Sequence, residues 1–370
     1  MSRTHASAPP TWQLIVRPSP PTPANTASWG QVDPIHPVGS PPKFRYTVSM
    51  PILSACICRH PTAHPTRRHP VFCILRGLLL PLVVLLLASC RSPRPDVPII
   101  TTTTFLADAV NLIGHPHLSA RPLMGPGLDP HQYRATPGDI RQLVAAKGVV
   151  MHGLHLEAKM GDVLAALPQR PLVVGDAIPP HQLIRDAKSG GIPDPHIWFD
   201  PSLWALVLQS IATYLSHIDP PHAPVYRANL AAALQQLHDT DQACRVMISR
   251  IPPSRRVLIT SHDAFRYFGR YYGITVMGVQ GTSTLAEPNP SDIDQLATLI
   301  TQRGIPAIFI ESSVSDRHLR AVQAAVAAKG GKVTIAPPLF SDSTGKPHTP
   351  QGTYDGVLRY NVTQMARYLQ

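Results

Sequence analysis

From residue 98 onward, short runs of apolar and β-branched residues alternate with longer stretches of mixed polarity. Residues 98–104, 148–151 and 171–174 read as strands, and 105–113 as a helix after the first of them. Past residue 250 the pattern resumes, with strands predicted over 256–260, 274–277, 306–310 and 332–335, each separated by a span of helical length. Strands that alternate with helices predict parallel sheets covered on both faces.

Between the two sets lies a long span with no strand signal. Pro220-Pro221 opens it and Pro252-Pro253 closes it, and Val225, Leu230, Leu234, Leu237, Val246 and Met247 give it a loosely amphipathic face. A helix over 222–251 would reach about 45 Å, enough to run the length of a two-lobed molecule. The predicted fold is α/β: an N-terminal lobe over 97–215 and a C-terminal lobe over 255–370, each with a parallel sheet flanked by helices, joined by this one spanning helix. In open α/β sheets ligands bind beyond the carboxyl ends of the strands, so a cleft between the lobes is the expected site.

The first ninety residues break the pattern. Residues 1–70 carry 14 of the 42 prolines and almost no acid. Such a segment buries too little apolar surface to offset its ordering entropy. It is expected to be disordered, or to be upstream sequence with Met50 as the start; a Pro-rich binding arm is the functional alternative. Residues 71–90 follow a basic flank, Arg67-Arg68, and contain the apolar run 77–88 before Ser89-Cys90. A basic flank, a short apolar core and a small-residue exit describe a secretory signal, and the run is shorter than the roughly twenty residues of a membrane span. Leu87-Ala88-Ser89-Cys90 resembles a bacterial lipobox, which implies lipidation of Cys90 and a chain held outside the cytoplasm, in the periplasm or at the cell surface. An uncleaved anchor helix is the alternative, with the same sidedness.

This leader changes how the charge is read. Of the formal net charge of +11, residues 1–90 hold +7 and the rest +4, so the pI mostly reports the leader and no nucleic-acid partner is inferred. Of the five cysteines only Cys244 lies beyond residue 90, which leaves no internal disulfide to the body.

The chemistry-bearing residues come last. Asp129-Pro130-His131 and Asp194-Pro195-His196 repeat one tripeptide. Proline fixes its own φ and keeps the preceding residue extended, so each histidine leaves a stiff turn in a set direction and loses little freedom on ligating a metal. His262 follows the strand predicted to end at Thr260, and Asp342 follows a strand near Ile335 and a Pro337-Pro338 turn. His131, His196, His262 and Asp342 thus form a candidate set of three imidazoles and one carboxylate, two from each lobe. Their separations of 65, 66 and 80 residues match no local metal motif, so the site is assembled only by folding. Glu311, at a strand end, is assigned as a carboxylate behind a ligand, or an alternative ligand. Thirteen histidines follow residue 90, so most are not ligands; His152 and His155 are expected to line the cleft at most. Trp198 and Phe199 are assigned to the core, and Asp200 before Pro201 to a helix N-cap.

At these residues the chain resembles a known family. Gly127-Leu128-Asp129-Pro130-His131-Gln132-Tyr133 with Thr136-Pro137-Gly138-Asp139-Ile140, then 194–201, 260–268, 311–315, 340–342 and 352–354, are similar in order to segments of the zinc- and manganese-binding solute receptors of bacterial ABC transporters. The resemblance covers about residues 97–370. It implies two lobes, a rigid linking helix, a buried metal and delivery to a membrane permease. The chain is accordingly expected to carry Zn²⁺ or Mn²⁺ as cargo, as a monomer anchored through lipid on Cys90, and not to be an enzyme.

Two departures bear on the metal. Zinc-selective members often carry a long His- and acid-rich loop between the first two ligands, where this chain has Lys188-Ser189-Gly190-Gly191, and many manganese receptors have Glu where this chain has His262. Three nitrogens and a carboxylate suit Zn²⁺, although a bidentate aspartate would make a five-coordinate Mn²⁺ site. The rival readings are a zinc-dependent hydrolase and a surface adhesin on the same fold. A hydrolase needs an open coordination position and a general base; neither His-Glu-x-x-His nor Gly-x-Ser-x-Gly occurs in the chain. With three imidazoles of ordinary pKa near 6.5, metal affinity is expected to fall below about pH 6.

Overall fold

The computed structural model describes residues 98–185 and 190–370. The predictions for the Pro-rich start, for the signal segment with Cys90, and for Lys188-Ser189 lie outside these residues.

In chain order the first lobe contains β1 (Ile99–Thr101), α1 (Thr104–Gly114), β2 (Ala120–Pro122), α2 (Pro137–Ala145), β3 (Val149–Met151), α3 (Gly161–Ala165), β4 (Leu172–Val173) and α4 (Pro201–Ile218). Helix α5 (Ala223–Ser249) follows. The second lobe contains β5 (Val257–His262), α6 (Arg266–Tyr272), β6 (Thr275–Gln280), α7 (Pro290–Arg303), β7 (Ala307–Glu311), α8 (Arg317–Ala328), β8 (Thr334–Leu339) and α9 (Tyr354–Tyr368). The sheets have the orders β2-β1-β3-β4 and β6-β5-β7-β8, and every pairing is parallel. In each sheet the order reverses beside the first strand, which is where open α/β sheets leave a crevice at their carboxyl ends.

Several strand boundaries differ from the sequence reading. β2 was not anticipated: Ala-Arg-Pro is short, partly exposed and without apolar alternation. β5 continues through Ser261 to His262, so His262 is the last residue of its strand rather than a residue beyond it. β8 runs through Pro337 and Pro338 to Leu339 instead of turning there. It is an edge strand, where prolines remove no obligatory ladder bond, and its register with β7 shifts between Phe309 and Glu311.

Local chemistry starts the helices near the site. Thr136 and Asp139 form a reciprocal capping box at α2, with Pro137 in the first turn. Asp200 caps α4, accepting from the backbone N–H of Ser202 and Leu203, as Asp-Pro predicts.

Helix α5 spans 27 residues, about 40 Å at 1.5 Å each, with Pro224 in its first turn, where a missing N–H costs nothing. It is tied to both lobes. Asn229 donates to the Ile113 carbonyl at 2.9 Å, while Tyr271 donates to Asp241 at 3.1 Å and Arg359 to Thr240 at 3.0 Å. One apolar cluster also runs through both lobes and α5, joining Phe105, Trp198 and Trp204 to Tyr226 and Leu237 and to Phe268, Phe309 and Val362. A shared core of this kind resists hinge opening, because parting the lobes would expose it at about 25 cal/mol per Å². Among the described residues no helix is long and apolar enough to cross a membrane.

Candidate metal centre

The two Asp-Pro-His segments fold alike. Asp129 Oδ1 accepts the backbone N–H of His131 at 2.9 Å, and Asp194 Oδ1 accepts that of His196 at 3.0 Å. An aspartate bonding the backbone two residues on is an Asx turn, and the proline between stiffens it. His131 leaves the loop after β2, and His196 leaves the loop after β4, ahead of a single 3₁₀ turn over Ile197–Phe199. His262 ends β5, and Asp342 follows β8.

These four residues meet. The Nε2 atoms of His131 and His196 are 3.3 Å apart, and those of His196 and His262 are 3.2 Å apart. Asp342 Oδ1 lies 3.5 Å from each of the last two. All four donor atoms lie within 4.8 Å of one another, on side chains that are buried. A tetrahedron with metal–ligand bonds of 2.0–2.1 Å has edges of about 3.3–3.4 Å, so the four short separations have the length that Zn²⁺ ligands require. Asp342 Oδ1 is buried without a hydrogen-bond partner, and an orphaned carboxylate oxygen aimed at three imidazole nitrogens fits a cation.

The outer ring nitrogens explain the orientation. His196 Nδ1 lies 2.8 Å from Asp194 Oδ1, and His262 Nδ1 lies 2.6 Å from Glu311 Oε2. At His196 the Asp194 carboxylate accepts from Nδ1, which holds the proton there and turns the Nε2 lone pair inward, while Glu311 faces His262 Nδ1 as an ion-pair contact. Glu311 stands behind His262, is not one of the four clustered donors, and also accepts the His262 backbone N–H at 2.8 Å. Asp342 Oδ2 accepts from Ser313 at 2.7 Å, which leaves Oδ1 as its inward oxygen.

Three carboxylates (Asp194, Glu311 and Asp342) therefore surround three imidazoles in a buried space, a balance that favours a divalent cation or protons. Burial alone lowers the pKa of His196, but the Asp194 carboxylate overrides it and leaves the group raised. For His262 burial is likewise outweighed, by Glu311 and Asp342, which put it well above the ordinary imidazole range. His131 has no such carboxylate behind it, and burial takes it down to about 3 despite the pull of Asp342. For Asp342 burial raises, but His262 and His196 lower, leaving it well below the usual carboxylate range.

The first lobe also positions the second-lobe candidate ligand Asp342. Trp198, packed in the core as predicted, donates its indole N–H to the Ser341 carbonyl at 2.9 Å. The backbone N–H of Gly127 donates to Ser343 at 2.9 Å, and that of Thr344 to Thr104 at 2.7 Å. Gly278 on β6 lies against His262, and a Cβ there would come 2.6 Å from the His262 carbonyl carbon, so the strand pair tolerates only glycine.

His152 and His155 are not in the cluster. His152 is buried with Nε2 2.8 Å from the Thr103 hydroxyl, and burial takes its pKa down to about 3. His155 is exposed. The sequence reading assigned no role to Asp129, Asp194 or Ser313. The repeated Asp-Pro-His was a usable signal for the first two, and for Ser313 the signal was its place in the family-like segment 311–315.

Residues 99–368 match the family model described as ZnuA, zinc-uptake complex component A, periplasmic. The chain is 40% identical over 282 residues to the manganese-binding lipoprotein MntA of Bacillus subtilis, covering 76% of this chain and 92% of that one. It is 41% identical over 266 residues to the zinc-binding protein TroA of Treponema pallidum, covering 71% and 86%. The solved structure of the periplasmic zinc-binding TroA superposes with a TM-score of 0.71 at 39% identity, over 74% of this chain and 99% of TroA.

Proposed function

We propose a function from one established premise: this chain belongs to the family of ZnuA, the periplasmic component A of zinc-uptake complexes. The chain is an extracytoplasmic solute-binding protein that captures a divalent transition metal, zinc or manganese, between its lobes and delivers it to an ABC-transporter permease. His131, His196, His262 and Asp342 are the ligands, and Glu311 orients His262. The observation that carries this reading is the convergence of three buried Nε2 atoms and one unpartnered carboxylate oxygen, with His196 and His262 each backed by a carboxylate.

The metal is cargo rather than a catalyst. Four protein donors complete a tetrahedron, which occupies the position where a zinc hydrolase holds its water. Three nitrogens and one oxygen favour Zn²⁺ over Mn²⁺ by the Irving–Williams order. Overall similarity does not choose between them, since relatives named for zinc and for manganese stand at nearly the same identity. Metal content of protein purified from its native compartment, with cellular uptake measured after gene deletion, tests the function. Unchanged zinc and manganese uptake would overturn it, and matrix-protein binding without a transport defect would favour the adhesin.

The mature chain begins at Cys90, behind a signal segment over 71–90, and is held to a membrane by lipid on that cysteine as a monomer. The expected lobes, 97–215 and 255–370 joined over 222–251, correspond among the described residues to a first lobe that continues to Ile218 at the end of α4 and a linking helix over Ala223–Ser249. Cys90→Ser is expected to release the chain to a soluble fraction and abolish lipid labelling. Membrane retention with the leader still attached would contradict lipidation. One acyl chain anchors only marginally, so two or more are expected.

A further inference from the structure

A cavity of about 610 Å³ opens to solvent between the lobes, lined by Leu128, Asp129 and Gln132 of the first and by Gln280, Thr284 and Ser313 among those of the second. Two of its wall residues touch members of the metal centre. Asp129 holds the His131 backbone, and Ser313 holds Asp342 Oδ2. On the other side of the cluster the buried Asp194 and Glu311 back His196 and His262. None of the four donors lines the open space; its wall residues Asp129 and Ser313 bond to His131 and Asp342.

On the wall of this cavity, next to His131, a bond crosses the cleft. Thr284, buried at 6% exposure, donates its hydroxyl to Asp129 Oδ2 at 2.6 Å. Gln132 donates to the same carboxylate oxygen at 3.1 Å and to the Thr284 hydroxyl oxygen at 3.2 Å. Gln280, at the end of β6, holds the loop that carries Thr284 by donating to the Ala286 carbonyl at 3.0 Å. One carboxylate thus fixes the His131 turn with Oδ1 and grips the opposite lobe with Oδ2. The shared core resists wholesale opening, so exchange of the ion calls for a local release, and this bond joins a ligand turn to the other lobe beside open space.

We propose that this cavity is the passage of the metal between solvent and site, and that the Asp129–Thr284 hydrogen bond is its inner latch. With the bond made, His131 is held on the ion. With it broken, the Asp129-Pro130-His131 turn is free to swing and the ion leaves through the cavity. Thr284 touches no ligand atom and acts as a positioning residue through Asp129. The inference rests on the metal-binding reading above.

The test follows zinc release from the Zn²⁺-loaded protein into excess chelator by stopped flow, with uptake measured separately. Thr284→Val keeps the shape and removes the hydroxyl. It is expected to speed release by about 10-fold or more, the factor that a hydrogen bond to a charged group carries, while leaving uptake no slower. Thr284→Ser restores the donor and the parental rate. Gln132→Ala, on an exposed residue, removes the second arm and gives a smaller acceleration in the same direction. Release from Thr284→Val at the parental rate, or acceleration that Thr284→Ser does not reverse, overturns the latch while the metal site stands. Slower uptake with unchanged release means that Thr284 is merely structural and also overturns it. A parent that binds neither Zn²⁺ nor Mn²⁺ ends both readings, and a parent that binds either one keeps them separable.

Discussion

His262→Ala is expected to weaken Zn²⁺ and Mn²⁺ binding together by about 100-fold or more. Loss of a group behind a ligand already costs 10–100-fold, and here the ligand itself is removed. The substitution also leaves Glu311 buried without the imidazole it faces at 2.6 Å, so some loss of fold stability is expected as well. His262→Glu should behave differently. It replaces one of three nitrogens by a second carboxylate, and a harder set should lose much of its preference for Zn²⁺ while still holding Mn²⁺. His152→Ala serves as the control, because that ring is spent on Thr103 and lies outside the donor cluster. Competition titrations of both metals across the three variants check this. Parental affinity in His262→Ala would sink the four-ligand assignment.

The second large effect concerns protons. Sequence alone predicts three equivalent imidazoles competing near pH 6.5, but the structure divides them. His196 and His262 are raised by the carboxylates beside them, so when no metal is bound each keeps a proton to higher pH than an ordinary histidine. His131, at about 3, is already neutral at pH 7 and has none to give up. The metal takes the deprotonated Nε2 atoms, so binding near pH 6.5 is expected to release protons from the coupled His196 and His262 pair, whose Nε2 atoms lie 3.2 Å apart, and none from His131. The sign follows from those shifts. Affinity rises with pH until both raised groups have titrated, and it is lost as pH falls through them, beginning above pH 6.5 rather than below 6. Calorimetry in buffers of different ionisation enthalpy counts the protons. Release of none, or of three, would contradict the division.

The candidate ligands, which the fold brings together, were legible because each stands in a local pattern with a mechanical meaning. Asp-Pro-His makes a stiffened turn twice, and His262 and Asp342 each follow an apolar run that reads as a strand. The lobes and α5 were legible for the same reason, since alternation and its interruption are local properties. What escaped depends on contacts made far along the chain. β5 continues through polar Ser261 and His262 because β6 pairs with it there, His262 against Gln280. β8 tolerates Pro337-Pro338 because it lies at a sheet edge. Thr284 and Asp129 are separated by 155 residues, and nothing near either one marks the pair.

The coordination shell itself gives the most direct test of the four-ligand assignment. X-ray absorption on the Zn²⁺-loaded protein should find one zinc per chain, with three imidazole nitrogens and one carboxylate oxygen at about 2.0–2.1 Å. His262→Ala should lose one of the imidazole scatterers. A shell that contains sulfur, or only oxygen, or one that is unchanged in His262→Ala, would contradict it.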